Sequence, residues 1–205
     1  RGARWVRTGR PYLSDLAAQY GCQKDGQLIN RDQQDRLQIL LATQPFSPSI
    51  RKQFVETILS SFGSDRFEVT VKPHPDENID LYEEMKTEYM NMRVVTTDLY
   101  GEIVDADLTV TINSNVGLES IIIGTPAFCF NAWEPLIFEP TYATADEIPV
   151  FRSESELQTF VSQLNSNKTS QLRSQQQTFV ENNYVINSSI ATDIANCIEA
   201  DPAEL

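Results

Sequence analysis

The sequence predicts an α/β protein: a Rossmann-like three-layer sandwich around a mostly parallel sheet of about five or six strands. Three observations carry this. Short, nearly continuous apolar runs such as Leu37-Gln38-Ile39-Leu40-Leu41-Ala42 mark strands buried on both faces. Helical patterns separate these runs at a spacing that suits βαβ units. The chain is also long and apolar enough, at 205 residues and 40% hydrophobic, to bury a substantial core and to be folded rather than disordered.

The elements follow in order. A short helical pattern at Leu13, Leu16, Ala17 and Tyr20 precedes a linker-like stretch from Gly21 to Arg36. The first strand is Leu37–Ala42. Pro48 or Ser49 opens a helix with Ile50, Phe54, Val55, Ile58 and Leu59 on one face. The strand Phe67–Val71 is followed by a helix over Ile79–Met90, a strand at Arg93–Thr96 and a short helix over Leu99–Ala106. Leu108–Ile112 is a β-branched strand. A helix over Gly117–Ile123 stops at Gly124, where glycine permits a left-handed cap. Strands at Pro126–Phe130 and Ile148–Val150 come next, then a helix capped by Ser153 and running to Leu164. Ser170–Glu199 reads as one or two amphipathic helices, and the Ser/Gln/Asn bias of Asn165–Gln177 as a solvated helix face.

Charge narrows the function. Lys+Arg is 16 against 29 Asp+Glu, a formal net charge of -13. A domain that binds nucleic acid needs a basic excess or a basic face, and docking on anionic lipid needs the same. Only five of the bases are Lys, and the acids are scattered rather than gathered in a tail. Two readings of the acidity stay open: an ordinary acidic cytoplasmic protein, or one adapted to a high-salt cytoplasm that screens its self-repulsion. Cys22, Cys129 and Cys197 are odd in number and far apart, which supports neither a disulfide framework nor a zinc site. Cys129 reads as a small core residue. The longest apolar stretch, at Ile121-Ile122-Ile123, is cut by Gly124 and Pro126, well short of a membrane span.

In an open parallel sheet, ligands bind beyond the carboxyl ends of the strands, so the residues after each strand are the candidates. Lys72-Pro73-His74-Pro75 holds the chain's sole histidine between two prolines, with a cation two residues earlier. That combination offers a phosphate one hydrogen-bond donor and one charge on a backbone with little ordering entropy left to lose. A stiff turn with an exposed histidine is the plainer alternative. The second candidate, Asn113–Ser120, joins a strand to a helix with small polar residues and Gly117. Ser114 and Asn115 can cap that helix, whose free N–H groups form an anion site. Glu119 falls about one turn in, where a carboxylate can accept two ribose hydroxyls or simply favour the helix dipole. The sheet brings both loops to one edge. No GxGxxG, GxxxxGK[ST], HExxH or GxSxG is present, which disfavours dinucleotide dehydrogenases, P-loop NTPases, zincins and α/β-hydrolases. Asp105 and Asp107 fit a helix–strand junction better than a catalytic pair.

Taken together, Val71-Lys72-Pro73-His74-Pro75, Thr97-Asp98-Leu99-Tyr100, Ala106-Asp107, Thr111-Ile112-Asn113-Ser114-Asn115-Val116-Gly117-Leu118-Glu119-Ser120 and Gly124-Thr125-Pro126 resemble the C-terminal half of a GT-B glycosyltransferase. The likeness is to capsule and surface polysaccharide transferases, including the CDP-glycerol glycerophosphotransferases, and runs over roughly Leu37–Leu164. It implies that residues 37–165 form a Rossmann-like nucleotide-binding domain. It implies that residues 1–36 are a linker and helix arriving from a preceding domain, and that residues 166–205 are helices packing back on the domain interface. The first residue is Arg1, not Met, so a piece of a longer protein is expected. An exposed apolar patch is expected near the C-terminal helices, where the other domain would sit.

The resemblance further implies that His74 contacts phosphate and acts in catalysis, with Lys72, Ser114, Asn115, Gly117 and Glu119 completing the nucleotide and phosphate site. The donor would be a nucleotide-activated sugar or a CDP-glycerol-type molecule. The glycan acceptor would be held by the other domain, with peripheral membrane association of the full protein left open. Lys72, His74 and helix N–H groups can stabilise the leaving phosphate without a metal or other cofactor. A single Ser in Asn113-Ser114-Asn115 departs from the serine-richer loops of the teichoic and sialic branches. A UDP-N-acetylglucosamine 2-epimerase-like isomerase shares the His-Pro motif but has a Gly-Gly-type loop absent here. A nucleotide-binding module without catalysis is the other alternative.

Overall fold

The computed structural model describes residues 10–21, 36–63, 65–134 and 136–186. Six strands form one sheet: β1 (Leu37–Ala42), β2 (Phe67–Lys72), β3 (Met92–Val94), β4 (Leu108–Thr111), β5 (Ala127–Phe130) and β6 (Val150–Phe151). Their spatial order is β3-β2-β1-β4-β5-β6, and every pairing is parallel. Among the described residues the α-helices are α1 (Pro11–Leu16), continued by a π turn over Ala17–Gly21, then α2 (Pro48–Ser61), α3 (Asp80–Lys86), α4 (Leu99–Asp105), α5 (Val116–Ile123), α6 (Glu154–Ser162) and α7 (Ser166–Asn183).

Alternation along each strand divides the helices between two faces. Ile39, Leu41, Val69, Val71, Leu108, Val110, Phe128 and Phe130 point to one side. They pack there on Phe54, Val55, Ile58 and Leu59 of α2, Tyr82 and Met85 of α3, and Leu157 and Val161 of α6. Leu40, Ala127 and Cys129 point to the other side, onto α4, α5 and α1 through Ile103, Leu118, Ile121, Leu13 and Leu16. The middle layer is thus covered on both faces, as the apolar runs require. Cys129 is fully buried, and burial pushes its thiol up to about 12, so it serves as a core residue.

Several boundaries shift for local reasons. The helix expected over Ile79–Met90 ends at Lys86, because Met90 is fully solvent-exposed and Val69 N–H already pairs with Asn91 C=O as β3 begins. β3 accordingly starts at Met92, one residue before its expected start. β6 begins at Val150 because Pro149 has no N–H to donate, and its carbonyl instead receives Cys129 N–H at 2.9 Å. Gly124 closes α5 at φ 105°, as expected from the left-handed cap. Ser153 forms a full capping box with Glu156 at the start of α6.

One reading is corrected. Gln176 lies in the stretch taken for a solvated helix face, yet it is completely buried. Its amide accepts from Ala127 N–H at 2.8 Å and donates to Ala127 C=O at 2.6 Å, clamping α7 to the start of β5. Among the described residues the large exposed apolar side chains include Leu136 and Phe138, after β5, and none lies on α7. The remainder of the expected C-terminal helix, most of the Gly21–Arg36 linker, Cys22 and Cys197 fall outside the described residues. Among those residues no helix is long and apolar enough to cross a membrane.

Candidate functional site

Strand order reverses between β1 and β4, and this switch point fixes the crevice. Leu41 sits level with Val71 on one side and with Val110 on the other. The chains therefore leave β2 and β4 at one height, about 10 Å apart, with the end of β1 between them. The His74 loop and the Ser114 loop are brought to the same edge.

The His74 loop is set by a buried carboxylate that sequence reasoning did not single out. Glu77 receives a hydrogen bond from His74 N–H at 3.2 Å, while its own N–H returns to His74 C=O at 2.9 Å. Its oxygens also accept from Thr43 Oγ1 at 3.1 and 3.0 Å, from Arg51 Nη1 at 3.3 Å and from the Tyr82 hydroxyl. The Glu77 side chain is wholly buried and that of Arg51 is 10% exposed, so the pair is shielded from solvent. Burial and the Glu77 carboxylate push the Tyr82 phenol up to about 12, keeping it a donor through the neutral range. The spacing of His74 and Glu77 was visible. What was not visible was that Thr43, Arg51 and Tyr82, from three other segments, converge on it.

His74 itself is exposed. Its Nδ1 accepts from Asp76 N–H at 3.2 Å and lies 3.5 Å from the Asp76 carboxylate; in the neutral ring that accepts at Nδ1 the proton sits on Nε2, where it can donate. Lys72 stands differently. It is buried, and its Nζ donates to Pro73 C=O at 3.3 Å and Thr96 C=O at 3.2 Å, strapping the end of β2 to the segment after β3. One of its three donors is left beyond these bonds.

On the other side of β1, Gln44 ties the two loops. Its Nε2 donates to Asn113 Oδ1 at 2.6 Å and its Oε1 accepts from Asn113 N–H at 3.0 Å. Ser114 Oγ accepts from Val116 N–H at 3.2 Å and Ser114 C=O from Gly117 N–H at 3.2 Å, so the first two N–H groups of α5 are already paired, which corrects the expectation that they are free. Asn115 occupies the N-cap position but its side chain makes no capping bond, which corrects the expectation for that residue. Gly117 is buried against Tyr142, whose hydroxyl donates to Ser114 C=O at 2.7 Å. A Cβ at position 117 would overlap that hydroxyl and come within 2.9 Å of Tyr142 Cζ. Gly117→Ala is therefore expected to destabilise the domain by about 1–3 kcal/mol. Unfolding in urea measures it, and an unchanged midpoint would contradict this packing.

Glu119, one turn into α5, is half-buried. Tyr12 donates to its Oε1 at 3.0 Å and Tyr100 to its Oε2 at 3.4 Å, and the two phenols also touch each other. Tyr100 is presented from the first turn of α4, behind Asp98, which takes a left-handed conformation (φ 49°) and caps the helix. Burial raises the Glu119 carboxyl, while the two tyrosine hydrogen bonds oppose that rise.

An open cavity of about 360 Å³ beyond β5 and β6 is lined by Asn131, Ala132, Glu134 and Arg152. There the Arg152 guanidinium already pairs with Glu134 and Glu139, both at 2.8 Å. It offers an anion less than the edge over β1 does.

Six parallel strands in this order among the described residues, with the crevice at the switch point, define a Rossmann-like α/β domain. No protein-family model matches the sequence, and a search of curated proteins finds no match. Solved structures do match. The H444N variant of the wall teichoic acid polymerase TagF superposes with a TM-score of 0.61 at 16% identity, over 95% of this chain and 53% of that one. TarM gives 0.55 at 12% identity, over 83% of this chain and 38% of that one. The C-terminal domain of the group 1 glycosyl transferase LpcC from Francisella tularensis gives 0.52 at 12% identity, over 89% and 100%. The chain has the fold of a GT-B glycosyltransferase C-terminal domain. It spans about half the length of the TagF structures it matches.

Proposed function

We propose that this chain is the donor-nucleotide-binding half of a glycosyltransferase or glycerophosphotransferase in surface polysaccharide or glycan synthesis. One observation carries the reading: the exposed His74 Nε2–H, the capped start of α5 and the Glu119 carboxylate share the edge over β1 where the strand order reverses. The donor's phosphates lie between His74 and the α5 N-terminus, whose dipole favours negative charge. Its ribose lies at Glu119. His74 donates to the leaving phosphate as the bond to the transferred group breaks, and Lys72 adds its charge from behind the loop. The acceptor is held by another domain.

Calorimetry with CMP, CDP, UDP and GDP tests this, with binding of at least one expected. Silence from all of them would remove the reading. The carboxylate adds a pH signature. Burial raises the Glu119 pKa, so its proton returns at a higher pH than on an ordinary glutamate, and with it goes one acceptor for the ribose. Affinity is expected to weaken on acidification in the native protein. In Glu119→Gln that part of the pH dependence should vanish. Identical pH profiles in the two proteins would place the ribose elsewhere.

A further inference from the structure

The Glu119 carboxylate carries two hydroxyls in this structure, one on each oxygen and in contact with one another, from Tyr12 and Tyr100. A vicinal diol bound by a carboxylate makes the same pattern. We propose that Tyr12 is a built-in surrogate for one hydroxyl of a nucleotide's ribose: its own hydroxyl holds the place on Glu119 Oε1 that a ribose hydroxyl takes, and donor binding displaces it. This rests on the nucleotide reading above and adds a regulatory contact to that site.

The two tyrosines are not equally free to move. Tyr100 is half-buried and its ring packs against Tyr20 at 5.2 Å between centroids. Tyr12 is 49% exposed. Its neighbours Leu13 and Leu16 are each 4% exposed and pin α1 to Leu118 and Ile121 of α5. The Tyr12 side chain can therefore turn out into solvent while the apolar side of α1 stays in place. α1 is also short and weakly begun. It has six α-helical residues continued by five in the π turn, and Arg10 at its N-cap contributes no side-chain bond. A helix of that length has no stability of its own and depends on its contacts. Tyr12 lies in its first turn, so losing the Glu119 contact loosens the end at which the chain enters the domain. Burial and the neighbouring carboxylate hold the Tyr12 phenol protonated, as a donor to Glu119 must be. Arrival of a nucleotide thereby loosens the first turn of α1.

The test is Tyr12→Phe in the full chain, which keeps the ring and removes only the hydroxyl. Calorimetry compares it with the native protein for CDP, UDP, GDP and ADP, and for the 2′,3′-dideoxy form of whichever binds. The variant is expected to bind the ribonucleotide about three- to ten-fold more tightly, the worth of one partly exposed hydrogen bond to a charge. The dideoxy nucleotide should show no such gain. In the native protein, hydrogen exchange at the Leu13 and Ser14 amides, which pair with Arg10 C=O, should quicken when nucleotide is added. Equal affinities for the ribonucleotide with unchanged exchange would overturn the surrogate while leaving the nucleotide site standing. An equal gain with the dideoxy form would overturn it too, by showing plain steric relief. No binding of any nucleotide to either protein would overturn the nucleotide reading and this inference with it.

Discussion

Replacing Glu77 with alanine is expected to lower the stability of the domain by about 3–5 kcal/mol, among the largest losses a single substitution produces. The reason is what remains. Arg51 would keep its charge in a place where its side chain is 10% exposed and where its Nε already has no hydrogen-bond partner. Thr43 Oγ1, the Tyr82 hydroxyl and His74 N–H would each lose an acceptor in or beside the same buried pocket. For a chain of this size the loss corresponds to a fall in melting temperature of roughly 6–20 °C. Guanidinium or thermal unfolding measures it. The double variant Arg51→Met, Glu77→Ala isolates the cause. Removing the stranded charge should recover a good part of the loss, because a buried pair replaced on both sides costs less than one broken on a single side. A Glu77→Ala variant within 1 kcal/mol of the native protein would mean that this network does not hold the His74 loop.

How such a network escapes a reading of the sequence is instructive. The layers of the fold are legible because burial of a strand on both faces forces a run such as Leu37–Ala42, and because Gly124 and Ser153 have local backbone reasons to end and begin helices. The edge that carries the candidate site is legible for the same reason, since strand order places the His74 and Ser114 loops on either side of the end of β1 once the topology is known. The carboxylate at 77 is not legible. In one dimension it is one of 29 acids, two residues past a proline, and would pass for surface. Only tertiary convergence gives it Thr43 from β1's end, Arg51 from α2 and Tyr82 from α3. The same holds for Tyr12, which is 107 residues from Glu119 in the chain, and for Gln176, whose polar neighbours in sequence suggested a wet helix face. Lys72 shows the converse: its type and position suggested a phosphate ligand, while its burial gives the ammonium two carbonyls to satisfy. Local chemistry identified the loops, and long-range packing decides what holds them.

Removing the His74 imidazole should leave that packing intact and act on turnover. The ring is exposed, and its contacts are local, to Asp76 N–H at 3.2 Å and to the Asp76 carboxylate at 3.5 Å. Its loss therefore leaves no buried group without a partner, and the melting temperature of His74→Ala is expected to stay within a degree or two of native. If His74 donates to the departing phosphate, the same variant in a full-length transferase should lose about 10²-fold or more in kcat, the usual effect of deleting one pre-aimed donor to developing negative charge. The loss should fall on kcat more than on KM, because the charge on the leaving oxygen grows as the transition state is reached. His74→Gln supplies a discriminating control: its amide N–H can donate but cannot carry a positive charge. Recovery of about ten-fold of the lost rate by glutamine would identify hydrogen-bond donation as the main contribution, whereas no recovery would point to a protonated imidazole. Turnover unchanged in both variants, with the fold intact, would make His74 part of a stiff turn with no role at the leaving phosphate, which would then depend on Lys72 and the N-terminus of α5.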